Sequence, residues 1–228
     1  DKAAAAASQV IDAGLYTLET DLSAVFKANS SESVWALPPL QAGFETAEGF
    51  IFVPYSAGQM PEYTITDQLY NAFEDGDHRK TNWVNSLLVD NISYLHPYKY
   101  KLSYDGNTTP VEHYTILRLA EQYLIRAEAK AMLNDFNGSQ ADLNAIRTRA
   151  GLTPGTANDQ ASLLAAIAKE RRVELFCEWG HRWYDLKRTR TINDALQYKP
   201  DWQATDTLFP IPFSEMQLNP YLVQNPGY

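Results

Sequence analysis

YTILRLAEQYLIRAEAKAMLNDFNGSQADLNAIRTRA, residues 114–150, repeats its apolar residues at helical intervals twice over. Ile116, Leu119, Ala120, Tyr123, Leu124, Ala127 and Ala131 line one face of a first helix, and Leu143, Ile146 and Ala150 line a second. Asp135-Phe136-Asn137-Gly138 breaks the pattern between them. So short a break makes the helices antiparallel neighbours, and a pair of about 34 residues has the length and layout of a tetratricopeptide unit. Leu133–Phe136 stands at that repeat's turn and aromatic, with Ala141 on the packing face of the second helix. One unit leaves an apolar face uncovered, and at least about three stacked units are normally needed to bury a continuous core.

A second charged helix follows, QASLLAAIAKERRVELFCEWGHRWYDLKR at 160–188. Leu164, Ile167, Ala168, Leu175 and Phe176 approximate its apolar face. Arg171, Glu174, Glu178, Arg182, Asp185 and Arg188 recur three or four residues apart, which sets opposite charges side by side. Together with Glu170 and Arg172 they read as a structural ion-pair network. The competing reading is a carboxylate pair for glycoside hydrolysis, which needs one carboxyl group kept protonated; an arginine beside each acid keeps it ionised instead. Cys177 is read as a small buried hydrophobe of this helix.

Outward from these helices the signals are more local. KAAAAASQVIDA at 2–13 is a helix by propensity and ends at Gly14, which suits the left-handed position past a helix terminus. Residues 31–37 alternate polar with apolar and stop at Pro38-Pro39, a short strand in which Trp35 is assigned to the core. Residues 40–63 carry glycines, prolines and aromatics without a helical period and read as a long loop insertion. Thr66 caps a helix through Phe73, residues 83–89 and 98–104 are extended candidates, and Trp83 is assigned to strand core. Short helices follow at 191–196 and 214–218, the latter inside a proline-rich, mostly extended tail.

Composition narrows the function classes. With 228 residues, 45% of them hydrophobic, the chain can bury a substantial core. A net charge of −9 argues against nucleic acid, whose phosphates need clustered cations unmatched by acids. No apolar run is long enough to span a membrane. The four histidines, His78, His96, His113 and His181, lack the spacing of a zinc site. Asp75, Asp77 and the Asp105–Asn107 turn offer oxygen atoms to calcium, but no recognisable calcium loop is present, so no cofactor is assigned. The chain opens at Asp1-Lys2-Ala3 with no leader, as a piece of a longer protein would.

Several stretches together resemble the SusD/RagB family. Arg118-Leu119-Ala120-Glu121 and Arg126-Ala127-Glu128-Ala129 are similar to its repeat helix, and residues 143–152, LNAIRTRAGL, to the segment that follows. ERRVELFCEWGHRWYDLKR at 170–188 is similar to its central signature, and Pro210-Ile211-Pro212, Asn219-Pro220 and residues 224–228, QNPGY, to its C-terminus. The resemblance implies a mainly α fold of tetratricopeptide-like repeats with long loops and minor strand content. Residues 1–228 would be the C-terminal portion of a single SusD-like domain, with earlier repeats and a lipoprotein signal in a preceding part.

It further implies a non-enzymatic, lipid-anchored outer-membrane protein of the cell surface. Such a protein captures an oligosaccharide or other nutrient for a SusC-like TonB-dependent transporter. A sugar ring stacks its apolar C–H face on an aromatic ring, which makes Phe44, Phe50, Phe52, Tyr55 and Trp202 the ligand-contact candidates. Aromatics also anchor loops, and that alternative stays open, as do a tetratricopeptide scaffold for protein partners and a carbohydrate-active hydrolase.

Overall fold

The computed structural model describes residues 1–41, 43–56, 58–104, 106 and 109–228. Two compact units are present, Asp1–Trp179 and Gly180–Tyr228.

The first unit opens with α1 (Lys2–Asp12), and Gly14 after it takes φ +66°. Next come β1 (Ser33–Leu37), α2 (Ala47–Phe52), α3 (Asp67–Tyr70), α4 (His78–Asn82), β2 (Val84–Val89), β3 (Ile92–Pro97) and β4 (Tyr114–Arg118). The helical pair is α5 (Leu119–Met132) and α6 (Phe136–Arg149), followed by α7 (Gln160–Glu174). Ile116, assigned to the first helix by its spacing, lies in β4, because Tyr114–Arg118 pairs antiparallel with β1. Asn134 closes α5 at φ +64°, and the Asp135 carboxylate caps α6 by accepting the Gly138 N–H. At α7 the Asp159 carboxylate accepts the Ala161 and Ser162 N–H groups, while the Ser162 hydroxyl answers the Asp159 N–H.

Ala120, Leu124, Ala127, Ala131, Leu143, Ile146, Leu163, Ile167 and Leu175 form one core, where alanines let the helix axes approach. The most buried apolar residues of α7 are Leu163, Ile167 and Val173; of the face expected, Ile167, Leu175 and Phe176 are buried, Leu164 packs against the core half-buried, and Ala168 is exposed, as is Ala141 on α6. Position 163 wins because the stripe must meet both neighbours, and the weakly amphipathic α7 sequence offers Leu at 163 and 164 alike. A second core gathers Leu22, Val25, Phe26, Phe73, Trp83, Tyr100, Val173 and Phe176. Thus α7 contributes to both cores, Leu163 and Ile167 to the first and Val173 to the second.

Other expectations are corrected. Residues 40–63 are not a plain loop, since Thr46 caps α2 by accepting the Gly49 N–H. The strand after β2 is β3 rather than residues 98–104; Asp90 and Asn91 both take positive φ (49° and 63°) and close a two-residue hairpin between them. Trp35 is 53% exposed rather than core, while Trp83 is fully buried but follows α4 rather than lying in a strand. Cys177 is exposed, beyond the end of α7 at φ +55°, so it is not a buried helix residue. Among the described residues no group of three or more His, Cys, Asp and Glu could hold a metal ion. Both Asp77 oxygens accept from Arg79, and Asp105 and Asn107 of the calcium reading lie outside the described residues. No helix is long and apolar enough to cross a membrane among the described residues.

The second unit holds α8 (His181–Arg188), α9 (Ile192–Leu196), a 3-10 turn at Ala204–Thr207 and α10 (Phe213–Leu218). Its proline-rich tail is pinned by polar contacts. The Gln224 amide bonds both the N–H and the carbonyl of Ile211, and the Tyr228 hydroxyl donates to the Leu208 carbonyl.

Candidate ligand-binding site

β1 ends at two prolines that can neither continue the ladder nor turn back on it, so Leu37-Pro38-Pro39-Leu40 runs out as an apolar ledge. Opposite it stands the segment from Phe44 to Phe50, and Tyr114, the β4 partner of Leu37, lies between them. Together with Gln41, Glu45, Thr46 and Ala47 these residues line a cavity of about 670 Å³.

The frame of this cavity is fixed by hydrogen bonds to the backbone around its lining. The Glu45 carboxylate accepts the Val111 N–H at 2.9 Å and the Glu112 N–H at 2.8 Å. Glu112 in turn accepts the Lys101 and Leu102 N–H groups at 2.8 and 3.2 Å. Burial, reinforced by the charge on Glu45, pushes Glu112 up to about 7 despite those donors. Phe44 meets Tyr104 edge-on at 5.4 Å, and the Tyr114 hydroxyl accepts the Ala47 N–H at 3.0 Å, which leaves its own proton to donate. A rigid apolar floor with a hydroxyl donor and the Gln41 amide at the rim suits a molecule with both an apolar face and hydroxyls.

Gly49 sets the depth of this frame. A Cβ built there would stand 1.9 Å from the Leu102 carbonyl oxygen, so α2 rests directly on the backbone of the facing segment. Gly49→Ala is expected to force the two apart, costing about 1–3 kcal/mol of stability by overpacking and weakening ligand binding at the same time. Thermal melts and binding measured on the same preparation check this; a variant with unaltered Tm and affinity would show that the close approach is absent.

The aromatic candidates separate. Phe44 and Phe50 line the cavity, Phe50 with 66% of its surface exposed. Phe52 is half-buried and packs edge-on against Tyr63 at 5.9 Å, and Tyr55 stands 73% exposed without lining the cavity. Trp202 belongs to the second unit, where it meets Trp183 edge-on at 6.4 Å and borders a small recess with Lys199, Asp201 and Asp206. Reading the sequence missed Leu37, Pro38, Pro39, Leu40 and Tyr114. The doubled proline after a strand was the available signal for the ledge.

The charged signature is divided between the units. Glu170, Glu174 and Glu178 are buried in a network whose cations come from other elements. Arg79 from α4 bonds Glu170 at 2.6 Å and Glu174 at 2.8 Å while holding Asp77 with two further donors. Arg118 from the end of β4 bonds Glu32, Glu174 and Glu178, and Arg149 from α6 bonds Glu32 and Glu174. Lys99 reaches Glu178 and the Glu174 carbonyl. Burial alone would raise Glu174, yet Arg149, Arg118 and Arg79 hold it well below the usual carboxylate range. These three carboxylates are closed to solvent and saturated with donors, which is the arrangement of a fixed junction and not of a general acid. Arg171 and Arg172 flank Glu170 on the same helix, Arg171 buried. Arg182, Asp185 and Arg188 lie in the second unit, where Arg188 bonds Asp185 at 2.9 Å across one turn of α8.

The sequence model of the SusD family matches residues 54–228. SusD-like protein P25 of Formosa agariphila is 31% identical over 179 residues, 68% of this chain and 33% of that protein. SusD-like protein P38 of the same organism is 30% identical over 50% of this chain and 24% of its own length. Among solved structures, a SusD superfamily protein from Parabacteroides distasonis aligns with a TM-score of 0.80 at 26% identity, over 99% of this chain and 56% of that one. Surface glycan-binding protein A from Bacteroides thetaiotaomicron, solved in complex with laminarihexaose, shares the fold with a TM-score of 0.79 at 21% identity, over 97% of this chain and 58% of that one. The chain therefore spans a third or less of the curated relatives it matches and a little over half of these structures.

Proposed function

Since this chain belongs to the SusD family, we propose that it forms the glycan-binding part of a surface nutrient-capture protein. In this reading the protein binds an oligosaccharide without cleaving it and hands it to a SusC-like TonB-dependent transporter, held at the outer membrane by a lipid anchor in the whole protein. The observation that carries the reading is the cavity between the proline ledge and α2, whose lining brings together Phe44, Phe50 and Tyr114. An aromatic ring takes the apolar face of a pyranose while hydroxyl and amide groups at the rim take its equatorial oxygens. The laminarihexaose complex of the glycan-binding relative supports a glycan as the ligand class to try first.

Calorimetry with laminarihexaose tests this. Removing one stacking ring forfeits about 1 kcal/mol or more, so Phe44→Ala and Phe50→Ala should each weaken binding by roughly an order of magnitude. Prolonged incubation should release no shorter sugars. Tyr55→Ala and Trp202→Ala are the comparison: an equal drop from either at unchanged Tm would move the contact surface to that ring. Full affinity in both phenylalanine variants would reject the cavity as the site.

A further inference from the structure

The cavity is built from a part of the chain that carries no cation. Between Lys27 and Arg79 there is neither Lys nor Arg, while eight Asp and Glu fall in the same interval. All the residues that line the cavity except Tyr114 come from it, and none of them, Tyr114 included, is basic. Arg79, Arg118, Arg149 and Lys99 are spent on the buried network, their side chains at most 4% exposed, and so cannot swing out to a ligand.

The charged group in the lining is acidic. Glu45 lines the cavity with its carboxylate fixed by two backbone N–H groups, and Glu48 stands in the first turn of α2 with one carboxylate oxygen buried and unbonded. A carboxylate or sulfate brought onto this floor would lose water, gain no ionic partner and face like charge. A hydroxyl-rich neutral sugar loses nothing comparable.

We infer that the cavity between the proline ledge and α2 selects uncharged glycans and excludes uronic-acid and sulfated ones, because its lining joins apolar and aromatic side chains to a carboxylate and holds no Lys or Arg. This rests on the glycan-binding reading above and names the ligand class of that site.

The test compares laminarihexaose with a hexagalacturonate, which carries six carboxylates, by calorimetry on this chain at low and at about 150 mM salt. The neutral hexasaccharide should bind at least tenfold more tightly, with the gap narrowing as salt screens the repulsion. Gln41→Lys adds a cation at the rim and should shift the ratio of affinities toward the uronate by about tenfold at low salt. Equal binding of the two sugars by the unaltered chain would overturn the inference, as would a ratio that Gln41→Lys leaves unmoved. Uronate binding as tight as that of laminarihexaose and weakened by Phe50→Ala would overturn the charge selection and leave the glycan site standing. Binding of neither sugar would overturn both.

Discussion

Glu174→Ala is expected to lower the unfolding free energy by about 3–5 kcal/mol, a large share of what holds an ordinary domain folded. Glu32, Asp77, Glu170, Glu174 and Glu178 meet Arg79, Lys99, Arg118, Arg147 and Arg149 in this network, and Arg147 also holds Glu74 at its edge. Glu174 sits at its middle, fully buried, accepting from Arg79, Arg118 and Arg149. Removing it leaves three guanidinium groups short of a partner and one positive charge unmatched where water cannot reach. Lys169→Ala is the control, since its pair with Glu74 is half exposed and contributes no more than about 1 kcal/mol. Denaturant melts of both variants decide it; similar small losses in the two would mean that the network is solvated in solution.

The same network shapes the response to acid. Glu174 and Glu178 are held below the ordinary glutamate value of 4.5 by their cations, against the opposing effect of burial. As pH falls through that value the unfolded chain takes up protons at these positions before the folded one does, so stability present above 4.5 is lost on acidification. Glu170, raised by its burial, works in the opposite sense. A shallower acid limb in Glu174→Ala follows from the removal of the most strongly depressed group.

Regular, local chemistry was legible in the sequence, and its long-range complement was not. Periodicity marks α5, α6 and α7 because each buries a stripe, and Thr66 marks a helix start because a side-chain oxygen must meet the first free N–H groups, whereas the Asp135 and Asp159 caps emerged only from the structure. Charge spacing along 170–188 identified Glu170, Glu174 and Glu178, but not Arg79, Arg118 and Arg149, which arrive from 25 to 95 residues away. The second extended stretch was misplaced for the same reason: three tyrosines drew it to 98–104, while the positive φ of Asp90 and Asn91 folds residues 92–97 back on β2. At the cavity, Phe44 and Phe50 could be named from loop aromatics, whereas Tyr114 enters only through its pairing with Leu37.

Trp83→Ala should cost about as much again, roughly 3–5 kcal/mol, by a different route. The indole is fully buried, meets Phe26 edge-on at 5.9 Å, and donates its Nε1–H to the Leu22 carbonyl at 2.9 Å. Alanine opens a cavity in the second core and leaves that carbonyl without its donor. The ring also covers the network from its apolar side, with Lys99 Nζ 4.6 Å from its centroid and the Arg149 and Arg118 guanidinium carbons 5.7 and 5.8 Å away. Cations desolvated against an aromatic face lose that attraction when the ring goes. Trp83→Phe keeps most of the packing and a ring but removes the donor, so its loss should be nearer 1–3 kcal/mol. The order of stability wild type, Phe, Ala is therefore expected in denaturant melts, and Trp83→Ala combined with Glu174→Ala should cost less than the two losses added, because the ring and the carboxylate serve the same arginines. Strict additivity would show that the aromatic core and the ion network are independent.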